Sequence, residues 1–105
     1  MILREVLDVA AQDTPDAVRA VGPDGSTSWT VRDIVFAIAS PDGATASFLL
    51  DPIVAGAAAR TPDVTRSSRG PGWVDLHPAA VDGHAADRAR AWFLSGYRRL
   101  TGPGA

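Results

Sequence analysis

Residues 28–50 read SWTVRDIVFAIASPDGATASFLL, and the rest of the predicted fold is organised around them. Its central run, Ile34–Ala39, is apolar throughout, rich in β-formers and too short for a helix. Residues 41–43 are Pro-Asp-Gly, a turn signal in which proline presets φ and glycine accepts a positive φ. After this turn Thr45 and Ser47 alternate with apolar residues, as in a strand with two unlike faces. The stretch therefore predicts a β-hairpin.

Upstream of this hairpin the sequence predicts a helix and two strands. Apolar residues recur at helical spacing from Ile2 to Gln12, and Pro15 stops the helix from continuing. Ala17–Val21 alternates as a first strand, and the turn signal Gly-Pro-Asp-Gly follows it. Trp29–Arg32 is a second strand with Trp29 and Val31 on one face. It reverses at Arg32-Asp33, unless one long strand runs through Asp33.

Downstream of the hairpin a second helix and a short strand are predicted. Asp51 can accept a hydrogen bond at the start of the helix, and the next residue is proline, which suits its first position. This helix ends near Arg60. Thr61–Gly72 reads as an exposed loop, because glycine, proline, serine and arginine dominate its second half. Trp73–Leu76 is then a short strand.

The last element is the clearest helix. Asp82 can cap it, and apolar residues form a stripe at three- and four-residue steps. The stripe consists of Ala85, Ala89, Trp92, Phe93, Gly96 and Leu100. We expect Trp92 and Phe93 to fill the space between this helix and the sheet, with Trp73 also in the core. The predicted fold class is α+β, an antiparallel sheet of hairpins packed against N- and C-terminal helices, in one domain of residues 1–105.

Composition narrows the classes of function. The net charge is −2, all ten basic residues are arginine, and cysteine is absent. Disulfides and thiolate metal sites are therefore excluded, and general attraction to nucleic acid is not expected. No apolar run approaches the roughly 20 residues that span a bilayer. The bias toward arginine and alanine is typical of a GC-rich bacterial genome, and the expected location is the cytoplasm, away from membranes.

The order of elements resembles the MmcQ/YjbR-like family of small bacterial proteins. The matching segments are Val31–Ala37, the strand through Leu50, Gly72–Leu76 and Trp92–Arg98, the last containing Ser-x-Tyr. The resemblance implies an α+β fold with two β-wings, a suggested DNA-binding role and no catalytic activity. This chain has Asp33-Ile34 where such proteins often carry Gly-Lys, and the lost cation weakens the nucleic-acid interpretation. A small luciferase-associated domain has a similar order of elements.

No catalytic, metal or cofactor site is expected from the residue types present. His77 and His84, with Asp75 nearby, have a spacing that fits no standard zinc motif. Ser95 lacks both a nucleophile elbow and an evident histidine partner. These residues are better explained as surface or packing positions.

Two surfaces remain as candidate binding sites. An anion or nucleic-acid surface would use Arg32, Arg60, Arg66 and Arg69, and the serines at 67 and 68 could add hydroxyls to a phosphate-binding loop. A ligand cleft would lie near Trp29 and His77, with Trp29 reaching a partner from a hairpin end.

Three functional hypotheses follow from these observations. The first is a non-enzymatic binding or regulatory module whose contact surface is formed by the hairpins and the arginine loop. The second is a double-wing DNA-binding protein. The third is a small enzyme or ligand carrier that uses the Trp29 and His77 cleft. The sequence does not identify the partner, for which a nucleic acid and a protein are the candidates, and the chain is a monomer or a homodimer.

Overall fold

The computed structural model describes residues 2–102, which form one antiparallel sheet with helices. The helices are α1 (Leu3–Ala10), α2 (Pro52–Ala58) and α3 (Gly83–Thr101), and a 3-10 turn, Ala11–Asp13, follows α1. The strands are β1 (Val18–Val21), β2 (Thr27–Val31), β3 (Ile34–Ala39), β4 (Ala46–Leu49), β5 (Val64–Arg66) and β6 (Trp73–Leu76). Within the described chain, six strands pair in the order β1-β2-β3-β4-β6-β5. The predicted α+β class is confirmed.

The pairing register separates the sheet into two faces. Trp29 pairs with Ala37, Ala37 with Phe48, and Phe48 with Val74. These side chains are buried in one core cluster together with residues of α1, α2 and α3, so this is the inner face. Because successive side chains alternate, the neighbouring row points the other way, to the outer face. That row consists of Ala20, Ser28, Ile38, Ser47, Asp75 and Thr65.

Phe93 of α3 is the centre of the core. Its ring meets Trp29 edge-on at 5.5 Å between centroids and lies 5.0 Å from the ring of Phe36. The ring of the preceding residue, Trp92, meets the ring of Phe48 edge-on at 5.9 Å between centroids. Such aromatic pairs add to the stability gained from area burial. The prediction that Trp92 and Phe93 lie between the helix and the sheet is confirmed.

A β-bulge brings Phe36 into this cluster. Trp29 of β2 pairs with Ala37 and Thr30 pairs with Val35, so Phe36 is the extra residue between them. Phe36 and Ala37 are both fully buried although they are neighbours in a strand. The bulge thus turns two successive side chains toward the helices, as an extra residue in one strand commonly does.

The local signals for turns and caps act as predicted. Asp51 accepts a hydrogen bond from the Ile53 amide at 2.9 Å, and Asp82 accepts one from the Ala85 amide at 2.8 Å. Arg32 and Asp33 form the β2–β3 turn with φ of 51° and 64°. Two residues with positive φ are typical of the tight hairpin turn that matches the twist of the strands.

Two sequence predictions about this half of the sheet are wrong. The segment 61–72 is not a loop throughout, since Val64–Arg66 forms β5 at the sheet edge. With three residues, of which two are exposed, β5 is too short to give a periodic signal. Trp73 is not in the core: it pairs with Leu49 on the outer face and is half-buried.

None of the helices within residues 2–102 is both long and apolar enough to cross a membrane.

Candidate functional site

The outer face of the sheet carries a polar groove of about 400 Å³. Its floor is formed by Ile38, Ser47 and Asp75 of the central strands. Ser47 is only 6% exposed, and its hydroxyl donates a hydrogen bond of 2.6 Å to Oδ1 of Asp75. A buried hydroxyl bonded to a carboxylate gives the floor a fixed polar centre.

Loops and turns from three places in the chain form the walls of the groove. The β1–β2 turn contributes Asp24 and Ser26. The β3–β4 turn and its flanks contribute Ser40, Pro41 and Thr45, and the β5–β6 loop contributes Ser67, Ser68 and Arg69. We call this surface, floor and walls together, the sheet groove. It unites the hairpins with the arginine loop, the two parts that the sequence indicated as a contact surface.

Asp24 is held in place on one wall of the sheet groove. Its Oδ1 accepts hydrogen bonds from the Ser26 hydroxyl at 2.7 Å and from the Ser26 amide at 3.0 Å. These bonds, the hydroxyl first, lower the pKa of Asp24 below its ordinary value, and the positive charge of Arg69 contributes in the same direction. Asp24 is therefore a charged acceptor at neutral pH.

Arg69 lies over an aromatic ring on the opposite wall. Its guanidinium carbon is 5.9 Å from the centroid of the half-buried Trp73 ring. Cation–π contacts at this distance are weakly favourable and orient the guanidinium group. In the loop below it, the Arg69 amide donates to the Ser67 hydroxyl at 3.2 Å. The cation is thus anchored at both its backbone and its side chain.

The four arginines selected from the sequence do not lie on one face. Arg32 donates to the carbonyl oxygen of Leu100 in α3 at 3.1 Å, on the helix side of the sheet. Arg66 also has an inner-face register, and its Nη2 lies 3.7 Å from where a Cβ atom would be at Gly56 of α2. Arg60 is exposed just after α2, whereas Arg69 lines the sheet groove. These residues therefore do not form one continuous basic surface.

The interpretation of Trp29 as a residue that reaches a partner is wrong. Its side chain is fully buried against Phe93, because its register places it on the inner face. The indole Nε1 has no hydrogen-bond partner within residues 2–102. His77 is exposed after β6, where its Nε2 lies 3.4 Å from the Thr65 hydroxyl. Trp29 and His77 are therefore not joined in one cleft.

The two histidines lie in separate hydrogen-bonded environments. Nε2 of His84 is 2.6 Å from Nη2 of Arg88, one helical turn further along α3. Because a guanidinium group can only donate, this nitrogen of His84 is the acceptor. Across residues 2–102 no group of three or more His, Cys, Asp or Glu side chains is arranged to hold a metal ion.

Most of the sheet groove was not predicted from the sequence. The sequence pattern indicated Arg69 and the two serines before it, and it indicated Asp75 as a neighbour of the histidines. The turn residues Asp24 and Ser40 were not among the predicted site residues. The alternation of Ser47 with apolar neighbours was a usable signal, because it marks which side of β4 faces away from the core. How the loops converge over that face depends on strand order, which residue spacing does not encode.

Comparison with known proteins shows a similarity of fold. No family model matches the chain, and no curated protein matches it. Among solved structures, it is similar to a protein from Pseudomonas syringae whose crystal structure was determined by a structural genomics consortium. The two share 12% sequence identity with a TM-score of 0.65 over 94% of this chain and 98% of the other. At this identity the likeness is one of fold alone.

Proposed function

We propose that this chain is a non-enzymatic, cytoplasmic binding module that takes its ligand in the sheet groove. The observation that carries the proposal is the division of the sheet: the helices pack on the inner face, while the outer face presents a concave polar surface. Binding sites are typically concave and place a few polar groups at fixed positions. The bonded pairs Ser47–Asp75 and Ser26–Asp24 provide such positions.

A second cavity is less suited to a polar ligand than the sheet groove is. It lies between α1 and α3, holds about 290 Å³ and is lined mainly by Val6, Val9, Ala86 and aliphatic parts of charged residues. Its polar groups do not converge on the cavity: Arg90, for example, pairs with Asp13, which lies outside the cavity lining. The sheet groove, in contrast, has charged and hydroxyl groups on its floor and on its walls.

We also propose that the chain belongs to the MmcQ/YjbR-like family. Support comes from the placement of the matching segments, which coincide with β3, β4, β6 and α3. The suggested DNA-binding role of that family has less support here. Arg32 and Arg69 lie on opposite sides of the sheet, and the groove holds two carboxylates against one guanidinium group. A DNA-binding surface should instead gather cations along one face.

Backbone amide chemical shifts test the binding module directly. ¹H–¹⁵N spectra are recorded with D-glucose, inorganic phosphate, a tetra-alanine peptide or a duplex DNA oligonucleotide, each up to about 10 mM where solubility allows, enough to saturate a 1 mM site. We expect saturable shifts from at least one small probe at Ser26, Ser47, Asp75 and Arg69.

Matched serine variants complete this experiment. Ser47→Ala should weaken the binding, whereas Ser28→Ala should not, because Ser28 lies in the same outer-face row without lining the groove. Shifts by DNA at Arg32, Arg60 and Arg66 would favour the nucleic-acid function instead. If no probe shifts the groove residues, the proposal is wrong.

A further inference from the structure

We propose that the ligand of the sheet groove is a neutral polyhydroxylated molecule, a sugar or a polyol. This inference rests on the proposed function and names the chemical class that the groove would recognise. It follows from three properties of the lining: its hydroxyl content, its charge balance and its pre-oriented carboxylates.

Hydroxyl groups dominate the polar lining. They belong to Ser26, Ser40, Thr45, Ser47, Ser67 and Ser68. Three of these hydroxyls already donate their proton to an aspartate and can only accept a hydrogen bond from a ligand, namely those of Ser26, Ser40 and Ser47. The other three, of Thr45, Ser67 and Ser68, can both donate and accept. A ligand hydroxyl has the same dual capacity, and several on one ring or chain can be satisfied together. An apolar ligand would desolvate these groups without giving them partners, which is unfavourable.

The charge balance of the groove disfavours anions. The lining contains two carboxylates, Asp24 and Asp75, and one guanidinium group, Arg69, so its net charge is negative. The pKa of Asp24 is lowered, which keeps that carboxyl group ionised. A phosphate or sulfate group would meet two like charges and a single cation that already lies over Trp73. A neutral ligand avoids this repulsion.

The carboxylates are positioned to accept hydrogen bonds from a ligand. Both use Oδ1 for the bond to a serine hydroxyl, Ser26 for Asp24 and Ser47 for Asp75. Within residues 2–102, Oδ2 of neither carboxylate accepts a hydrogen bond. A carboxylate has about four lone-pair sites, so capacity remains for ligand hydroxyls in charge-assisted bonds.

The size of the groove and its apolar residues are consistent with a sugar. A volume of about 400 Å³ is within the range of small-molecule sites. Ile38 on the floor and Pro41 on the wall provide apolar surface that can contact the C–H groups of a sugar ring. The groove can therefore make both hydrogen bonds to the hydroxyl groups and apolar contacts with the C–H groups of a polyhydroxylated ring.

A matched set of ring compounds tests the ligand class. Amide shifts are followed with myo-inositol, D-glucose, D-galactose and sorbitol as neutral polyols. Myo-inositol 1-phosphate is the charged counterpart and cyclohexanol the apolar one. We expect at least one polyol to saturate the shifts of groove residues and to bind more tightly than both counterparts.

Two variants sharpen the result. Asp75→Asn keeps the shape of the side chain but loses the charge, and it should weaken polyol binding about tenfold, the cost of a hydrogen bond to a charged acceptor. Ser28→Ala should leave the affinity unchanged. The spectra of both variants without ligand show whether the fold is retained.

The outcomes separate this inference from the proposed function. If phosphate, the peptide or myo-inositol 1-phosphate shifts the groove residues while every polyol binds no better than cyclohexanol, the ligand class is wrong and the binding groove stands. If none of the compounds shifts these residues, both proposals are wrong. Polyol shifts that persist unchanged in Asp75→Asn also overturn the inference.

Discussion

Short acidic turns in this protein depend on serine partners two residues away. Ser26 donates to Asp24 at 2.7 Å, and Ser40 donates to Asp42 at 2.6 Å. In both cases the hydroxyl bond is the main cause of a lowered carboxyl pKa. Each carboxylate also accepts a backbone amide, Ser26 in the first turn and Ala44 in the second. The charged form of the aspartate therefore closes the turn.

Replacing one of these serines should raise the pKa of its own aspartate only. We expect Ser26→Ala to move the pKa of Asp24 up toward its ordinary value and to leave that of Asp42 unchanged, with Ser40→Ala as the reciprocal control. Carboxyl ¹³C shifts recorded against pH give both values. A pKa of Asp24 that is equal in Ser26→Ala and the unmodified protein would contradict the assignment.

The bond between Ser26 and Asp24 also predicts how the stability of the protein changes with pH. The pKa of Asp24 is lower in the folded than in the unfolded chain. Ionisation of Asp24 therefore stabilises the fold, and this contribution is complete at a pH above the pKa that Asp24 has in the unfolded chain. That contribution is lost as the pH falls through the folded pKa. Ser26→Ala should therefore lower stability near neutral pH, and the difference should shrink in acid.

At the scale of elements, α3 lies close to the sheet because one of its contact residues is glycine. A Cβ atom at Gly96 would be 2.9 Å from the carbonyl oxygen of Leu49 and 3.4 Å from Cδ2 of Phe36. The Leu49 carbonyl oxygen belongs to the backbone of β4, so it cannot move away from such a Cβ atom without distorting the sheet. At Gly56 of α2, in contrast, the nearest atom is Nη2 of Arg66 at 3.7 Å, an ordinary contact distance.

Alanine at these two helical glycines should have opposite effects on stability. Gly56→Ala should stabilise the protein by up to about 1 kcal/mol through helix propensity. Gly96→Ala gains the same propensity but should be destabilised overall, since overpacking costs about 1–3 kcal/mol. Urea unfolding of both variants measures the difference. An unchanged or higher stability of Gly96→Ala would mean that α3 does not approach Leu49 this closely.

Elements whose signals are local could be predicted from the sequence. The β3–β4 hairpin, the strand Trp73–Leu76 and the stripe of α3 follow from residue pattern and turn chemistry alone. β5 could not be predicted, because its pairing with β6 rather than its own pattern makes it a strand. The shared face of Trp29 and Val31 was predictable, but which side the helices cover is set by register across the sheet.

At the scale of the molecule, the sheet has a protected centre and weak edges. β3 and β4 have neighbours on both sides and carry core residues, whereas β1 is a four-residue edge strand with every side chain exposed. Val18 and Val21 of β1 are 64% and 61% exposed. Little buried surface therefore holds β1 to the sheet.

Hydrogen exchange should reveal this gradient of local stability. We expect the paired amides of β3 and β4 to exchange only through global unfolding, and those of β1 to exchange faster through local opening. Exchange followed by NMR at residue resolution gives the comparison, with edge strand β5 as the internal reference. Equal protection of β1 and β3 would show that the edge is held by contacts beyond those described above.

The position of β6 in the sheet has a consequence for synthesis on the ribosome. Strands β1 to β4 follow one another in space as in sequence, so they can pair as they emerge. β5 emerges next but has no place beside β4, because β6 separates the two. The newly made β5 therefore stays unpaired until residues 73–76 have left the exit tunnel. Only then can the sheet be completed, and α3, which brings Phe93 to the core, follows β6 along the chain.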